Sequence, residues 1–366
     1  MEIAILGLGT VGMGAFEAAK RTDVLHVKRA LIHNPKAGFE SMTTTDFNTI
    51  LNDESISIIC ECIGGLHPAY EYVMKALERG KHVITPNKQL ISTYYRELTD
   101  CAGRHGVMLK YTSSAGGGIP WLFNLMRTKR CDEILSISGI INGTCNYILD
   151  RMTREGADFD EVLRDAQQAG YAEADPGSDI DGIDTLYKCA ISANMAFGKL
   201  FKHSEIALAG ISTITHRDIC AFDESGCVCR LMMHAGRAEN GFYAYVEPTL
   251  LPKGSLEAGV HDNYNLITLH GRNTGIQSFY GEGAGRMPTG TSVIQDALDI
   301  VSGGEAMNIG IMSEAQIDNN AVKHCYYLRK DSGSSVTDSI TVAAAHGIYE
   351  LARRESHDVF MAGIAE

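Results

Sequence analysis

No Cys-x-x-Cys pair occurs among the ten cysteines of this 366-residue chain; the nearest pairs are Cys60/Cys62 and Cys227/Cys229. The run His216, Cys220, Cys227, Cys229, His234 matches no common zinc spacing, so no metal ligand is assigned. Thiols flanked mostly by apolar residues fit a reducing compartment better than a disulfide framework. No apolar stretch approaches the length of a membrane span, and a strand pattern begins almost at Met1, which argues against a signal peptide. A cytoplasmic protein is the expectation. There is no basic arm or acidic tail, and the formal net charge of −13 argues against nucleic acid or an anionic membrane as the main partner. What remains, 45% hydrophobic and 21% charged residues, describes an ordinary globular protein with room for two domains and a small extra piece.

The most telling segment is GYAEADPGSDIDGIDTLYK, residues 170–188. It places Glu173, Asp175, Asp179, Asp181 and Asp184 close together, with Lys188 four positions after the last. Pro176, Gly177 and Gly182 break its first half into a loop. From Ile183 the apolar residues recur at helical spacing, so Asp184 and Lys188 fall on one helix face. Such a pair is one way to make a lysine shuttle a proton, although acids at a helix start also serve the helix dipole alone. A calcium loop is excluded: with Gly182 as its sixth residue, the twelfth is Lys188, a cation where the bidentate glutamate belongs.

MEIAILGLGTVGMGAFEAAK reads as strand, glycine turn, helix, with Gly7, Gly9 and Gly12 in GxGxxG spacing. These glycines suit a tight turn, backbone approach to a pyrophosphate, and close helix packing. Thr10 and Val11 open the helix whose amides would face the phosphates. Strands at 26–33, 56–63, 81–85 and 106–112 alternate with helices, which predicts an α/β fold with a Rossmann-type doubly wound parallel sheet. The turns at 7–12, 64–65 and 85–88 lie at strand carboxyl ends, where such sheets bind ligands. The second strand ends His33-Asn34-Pro35-Lys36, without the acid that grips the ribose of NAD. Lys36 or Arg29 would instead meet a 2′-phosphate, which favours NADP over NAD.

Taken together, GLGTVG (7–12), ECIGG (61–65), TPNK (85–88), SSAGGGIP (113–120), GIINGTCNYIL (139–149), residues 170–188 and GEGAGRMPTGTSVIQD (281–296) resemble the homoserine dehydrogenase family, in the family's order. The resemblance implies interconversion of L-homoserine and L-aspartate 4-semialdehyde with NAD or NADP, in biosynthesis of threonine and methionine. It implies that Glu173 holds the substrate ammonium group and that Tyr171, Gly143 and Thr144 line the same pocket. Asp179 and Asp184 would complete its polar wall. Lys188 would exchange the proton at the substrate oxygen, and Lys88, near the nicotinamide, would support either cofactor binding or proton transfer as a catalytic residue. Gly64 and Gly283 join Gly7, Gly9, Thr10, Val11 and Gly12 as cofactor contacts. Cys145, near a probable helix start, invites a nucleophile reading, but no adjacent base is evident and relatives carry Thr or Ser there. Two departures from the family pattern are Thr112, where a glutamate is common, and Pro86, where alanine is usual.

The resulting plan assigns 1–127 to the dinucleotide-binding domain, completed by a returning helix at 288–302. Residues 128–287 form an α+β substrate-binding and dimerisation domain, whose strands include CRLMMHAGRAE, GFYAYVEPTLLP, NLITLHGRN and GIQSFYGEG. A homodimer is expected. HCYYLRKDSG (324–333) resembles the first strand of an ACT regulatory domain, but too few residues follow for a whole one. Residues 303–366 are therefore read as a C-terminal extension, without threonine feedback through a standard ACT module. Two other readings stay open: a relative acting on a different small aldehyde or hydroxy acid, and a non-catalytic dinucleotide sensor. The sensor reading predicts decay of Lys88, Glu173, Asp184 and Lys188, all of which are present.

Overall fold

The apolar runs of the first third fold as six parallel strands: β1 (Glu2–Leu6), β2 (His26–Leu31), β3 (Thr43–Thr44), β4 (Ile56–Glu61), β5 (His82–Ile84) and β6 (Leu109–Lys110). Their order is β3-β2-β1-β4-β5-β6, so the strand order reverses at β1 and β4. Helices α1 (Thr10–Ala19), α2 (Phe47–Leu51), α3 (Ala69–Glu78), α4 (Lys88–Arg104) and α5 (Trp121–Thr128) connect them or follow them. A sheet covered on both faces needs near-continuous apolar strands. Ile3, Ile5, Ile58, Cys60 and Ile84 supply them, all fully buried. The computed structural model describes residues 1–307 and 313–365.

The chain divides into one unit of Met1–Arg127 with Glu282–Ser313 and another of Thr128–Gly281 with Glu314–Glu366. The second begins with β7 (Ile134–Ile140), α6 (Gly143–Glu155), α7 (Phe159–Gln168), α8 (Gly177–Ile180) and α9 (Ile183–Phe197). It continues through β8 (Ala207–Leu208), α10 (His216–Glu224), β9 (Cys227–Ala238), β10 (Gly241–Pro252), β11 (Tyr264–Gly271) and β12 (Gly275–Glu282). Helix α11 (Arg286–Val301) then belongs to the first unit and packs on α1. The two cross so closely that a Cβ on Gly290 would lie 2.3 Å from the backbone of Gly14. It starts two residues before the expected position, because Pro288 is tolerated within a first helical turn.

Residues 314–365 do not stand apart as a third piece. They form β13 (Lys323–Lys330), β14 (Gly333–Val336), β15 (Ile340–Thr341), α12 (Val342–Glu355) and β16 (Phe360–Ile364). The ten-stranded sheet runs β12-β11-β7-β9-β10-β16-β13-β14, with β15 on β13 and β8 on β10. The physical reason is twofold. Strand β16 pairs with β10 on one side and β13 on the other, leaving neither edge open. Beneath it, Arg329 Nε donates to both oxygens of buried Asp218, at 2.9 and 3.0 Å, tying β13 to α10. Among the described residues no helix is long and apolar enough to cross a membrane.

Candidate active site

In the first unit, a cleft of about 480 Å³ opens at the carboxyl ends of β1, β2 and β4, lined by Gly7, Gly9, His33, Asn34, Lys36 and Thr45 among others. Its floor is made by backbone rather than side chains. Gly7 has φ of +91°, and a Cβ there would sit 2.8 Å from the carbonyl oxygen of Cys62. A Cβ on Gly12 would lie 1.9 Å from the Gly7 carbonyl oxygen, so the turn closes only with glycine there. Gly9 meets nothing within 4 Å, which leaves its open side for a ligand. It also precedes α1 without a side-chain cap, so the first-turn amides at Thr10 and Val11 keep their donors for another acceptor. A glycine cradle with uncapped amides is what a dinucleotide pyrophosphate requires.

Lys36 lies in this cleft, its Nζ donating to the Leu8 carbonyl at 2.8 Å. Arg29 does not join it; its guanidinium is spent on the Ser41 carbonyl at 3.0 Å. Gly64, with φ of +80°, sits in a turn ordered by a residue that sequence reading quoted but gave no role. Glu61, fully buried at the end of β4, accepts from the amides of Ile63 and Gly64 at 2.7 and 3.1 Å. Its other oxygen accepts from the Thr85 hydroxyl at 2.6 Å, and Asn87 Nδ2 donates to the Gly65 carbonyl at 2.7 Å. One buried carboxylate thus ties the β4 turn to the loop that presents Lys88, the first residue of α4. Gly283 also lies against backbone. Its carbonyl lies 2.3 Å from where a Cβ on Gly117 would be, so its close contact is with the protein's own backbone.

In the second unit, Asp184 and Lys188 occupy one face of α9, a helix buried along most of its length. Lys188 Nζ lies 2.7 Å from Asp184 Oδ2 and donates to the Ile141 carbonyl at 2.8 Å. The two residues are only 3% and 7% exposed, so this is a desolvated pair rather than a solvated helix start. Gly182, with φ of +82°, turns the chain from α8 into α9 and sets the angle at which Asp184 enters. Asn142, the residue before α6, donates through Nδ2 to Asp179 Oδ1 at 2.7 Å and Asp184 Oδ2 at 2.8 Å. Its Oδ1 accepts from the Cys145 amide at 2.8 Å, capping α6.

The remaining residues divide. The Thr144 hydroxyl donates to the Tyr171 carbonyl at 2.6 Å, and the Tyr171 ring packs on Tyr147 with centroids 5.0 Å apart. Gly143 is needed for packing, since a Cβ there would come 2.6 Å from the Asn263 carbonyl oxygen. Glu173 is exposed on the loop before α8, with its carbonyl accepting from Gln167 Nε2. Cys145 is sealed in: its thiol donates to the Asp179 carbonyl, and burial, reinforced by the Asp179 and Asp184 carboxylates, holds it protonated far above the usual thiol range. That removes the nucleophile reading. Among the described residues no group of three or more His, Cys, Asp or Glu side chains could hold a metal ion.

The family described as "Homoserine dehydrogenase, NAD binding domain" matches residues 7–112, and "Homoserine dehydrogenase" matches 120–298. A homoserine dehydrogenase of Synechocystis sp. is 39% identical over 317 residues, spanning 82% of this chain and 73% of that protein. One from Pseudomonas aeruginosa is 34% identical over 375 residues, spanning 95% and 86%. The crystal structure of a homoserine dehydrogenase from Thiobacillus denitrificans superposes with a TM-score of 0.90 at 30% identity, covering 100% of this chain and 98% of that one. Glycine cleft, buried lysine–carboxylate pair and overall match converge on one assignment: the chain belongs to the homoserine dehydrogenase family.

Proposed function

We propose that the chain interconverts L-homoserine and L-aspartate 4-semialdehyde, with Lys188 as the group that takes and returns the alcohol proton. The observation that carries this reading is the setting of the lysine. Two of its three donors are engaged by Asp184 and the Ile141 carbonyl, which aims the third at an incoming oxygen. Bound NAD or NADP supplies the hydride acceptor or donor, and the protein handles proton and charge. When the alcohol is oxidised, Lys188 starts as the neutral amine, whose lone pair accepts the hydroxyl proton as the carbonyl forms and the carbon gives up its hydride to the cofactor; Asp184 stabilises the ammonium that results. In the reverse direction the same ammonium protonates the alkoxide oxygen.

Glu173 is assigned to the substrate ammonium, with Tyr171, Thr144 and Gly143 beside it and Asp179 completing the polar wall. Its exposure suits a loop that meets a ligand. Lys88 is assigned to the nicotinamide end of the cofactor, supported by the Glu61 lock on its loop. Gly7, Gly9, Thr10, Val11 and Gly12 hold the pyrophosphate, and Lys36 faces the ribose, which favours NADP. A homodimer completes the proposal, supported by the uncovered Ile276 and Tyr280 on edge strand β12.

The test is initial-rate reduction of NADP and of NAD with L-homoserine, beside a Lys188→Ala variant. Homoserine-dependent turnover that disappears in the variant while cofactor binding persists supports both substrate and lysine. A folded, dinucleotide-binding protein without homoserine-dependent turnover shifts the reading to a different small hydroxy acid.

A further inference from the structure

We propose that Asn142 is a positioning residue for the proton-transfer pair, holding Asp184 where Lys188 can use it; this rests on the role given to Lys188 above. The geometry leaves little freedom. Asn142 is 4% exposed and stands in extended backbone between Ile141, whose carbonyl receives Lys188, and the first turn of α6. Its amide orientation is fixed by its surroundings: two carboxylates demand the NH₂ group, and the Cys145 amide demands the oxygen.

Asp184 Oδ2 therefore receives two donors, the Asn142 amide and the Lys188 ammonium. The second NH₂ hydrogen goes to Asp179, so one side chain spaces two carboxylates that would otherwise repel each other beside the lysine. Asn142 need not touch substrate to matter. It sets the place of the carboxylate, and the carboxylate sets the direction of the lysine.

The decisive variant is Asn142→Asp. An aspartate keeps the oxygen that caps α6, so the helix start survives, but it replaces two donated hydrogen bonds with a third negative charge. Rates of L-homoserine oxidation are measured against pH for the parent, Asn142→Asp, Asn142→Ser and Lys188→Ala, with cofactor affinity read by fluorescence titration. Misplacing a catalytic group by a fraction of its contact distance predicts a kcat lower by on the order of 100-fold in Asn142→Asp. The added carboxylate favours the charged lysine, so the oxidation profile moves to higher pH by about one unit or more. Cofactor affinity stays within about twofold of the parent, since the glycine cradle is untouched. Asn142→Ser, with no new charge, loses rate without the alkaline displacement.

If Lys188→Ala abolishes turnover while Asn142→Asp keeps kcat within about threefold and the parent's pH midpoint, the positioning role is wrong and the lysine assignment stands. If Asn142→Asp does not fold, Asn142→Ser decides: a kcat within about threefold of the parent overturns the proposal. Turnover that survives in Lys188→Ala overturns the lysine reading and this inference together.

Discussion

The two binding regions of this protein are built by opposite means. The cleft of the first unit is shaped by what is missing, since Gly7 and Gly12 let the turn close on its own backbone and Gly9 leaves an open side to a ligand. The cluster of the second unit is crowded with side chains: Lys188, Asp184, Asn142 and Asp179 already satisfy one another. Their buried carboxylates show the same contrast. Asp184 has an ammonium at 2.7 Å and an amide at 2.8 Å. Asp296, on α11 in the first unit, accepts from the Thr112 amide at 3.0 Å, and Lys110 acts on it only as a weaker, less direct influence. Burial pushes the Asp296 carboxyl up to about 7. The first unit tolerates a buried carboxyl without a close cation, whereas proton transfer needs a carboxylate already matched to its cation.

That contrast can be broken experimentally, beginning with its strongest element. Lys188→Ala is expected to lower kcat on the order of 1,000-fold, within the usual range for a lost general base, with cofactor affinity nearly unchanged. Equal loss of both would show that the two regions are not separable.

Next comes Asp296. Its folded-state value lies above the ordinary 3.8, so the folded protein binds the extra proton, and stability falls as pH rises from about 4 through about 7. Between pH 5 and 8 the loss is roughly 3 kcal/mol, from about two units at 1.36 kcal/mol each. Thermal melts should show the parent losing stability over that interval. Asp296→Asn, which keeps an acceptor for the Thr112 amide, should remove most of the dependence. An unchanged slope in the variant would assign the effect elsewhere.

A smaller effect is expected at Gly12. With alanine, the Cβ meets the Gly7 carbonyl and the turn must open, weakening NADPH binding by about 100-fold, or roughly 2.7 kcal/mol. Homoserine turnover at saturating cofactor should fall much less. The mildest test is Lys36→Ala, for which a loss of about tenfold in NADPH affinity with NADH little changed corresponds to one surface-accessible phosphate contact. Equal affinities in parent and variant would remove the case for NADP.

The same contrast explains what could be read from the sequence. The cleft was legible because its parts are local: strand, glycine turn and helix follow one another within twenty residues. Asp184 and Lys188 were legible too, four positions apart on one helix. Asn142 was not, because its partners lie 37 and 42 residues away and an Asn before a Gly-Thr helix start reads only as a cap. Glu61 was hidden in a similar way: a carboxylate inside an apolar strand has no periodicity to announce that it serves two loops. The C-terminal segment misled because β13 was visible, while β10, which pairs with β16, and α10, which Arg329 of β13 binds, are far back in the chain.

The position of β16 has a consequence for how the protein comes into being. It is an interior strand of its sheet, yet it is made after every other strand it joins there. Roughly a hundred residues separate β10 from it, which at ribosomal speeds is on the order of 10 s. Through that interval the Thr249–Leu250 end of β10, beyond its pairing with β8, lacks its β16 partner, and β13, once made, waits beside a gap. The first unit's parallel strands can assemble during synthesis, although α11 reaches them late. The second unit's sheet closes only when residue 364 is free, so birth order makes its middle the last region to become native.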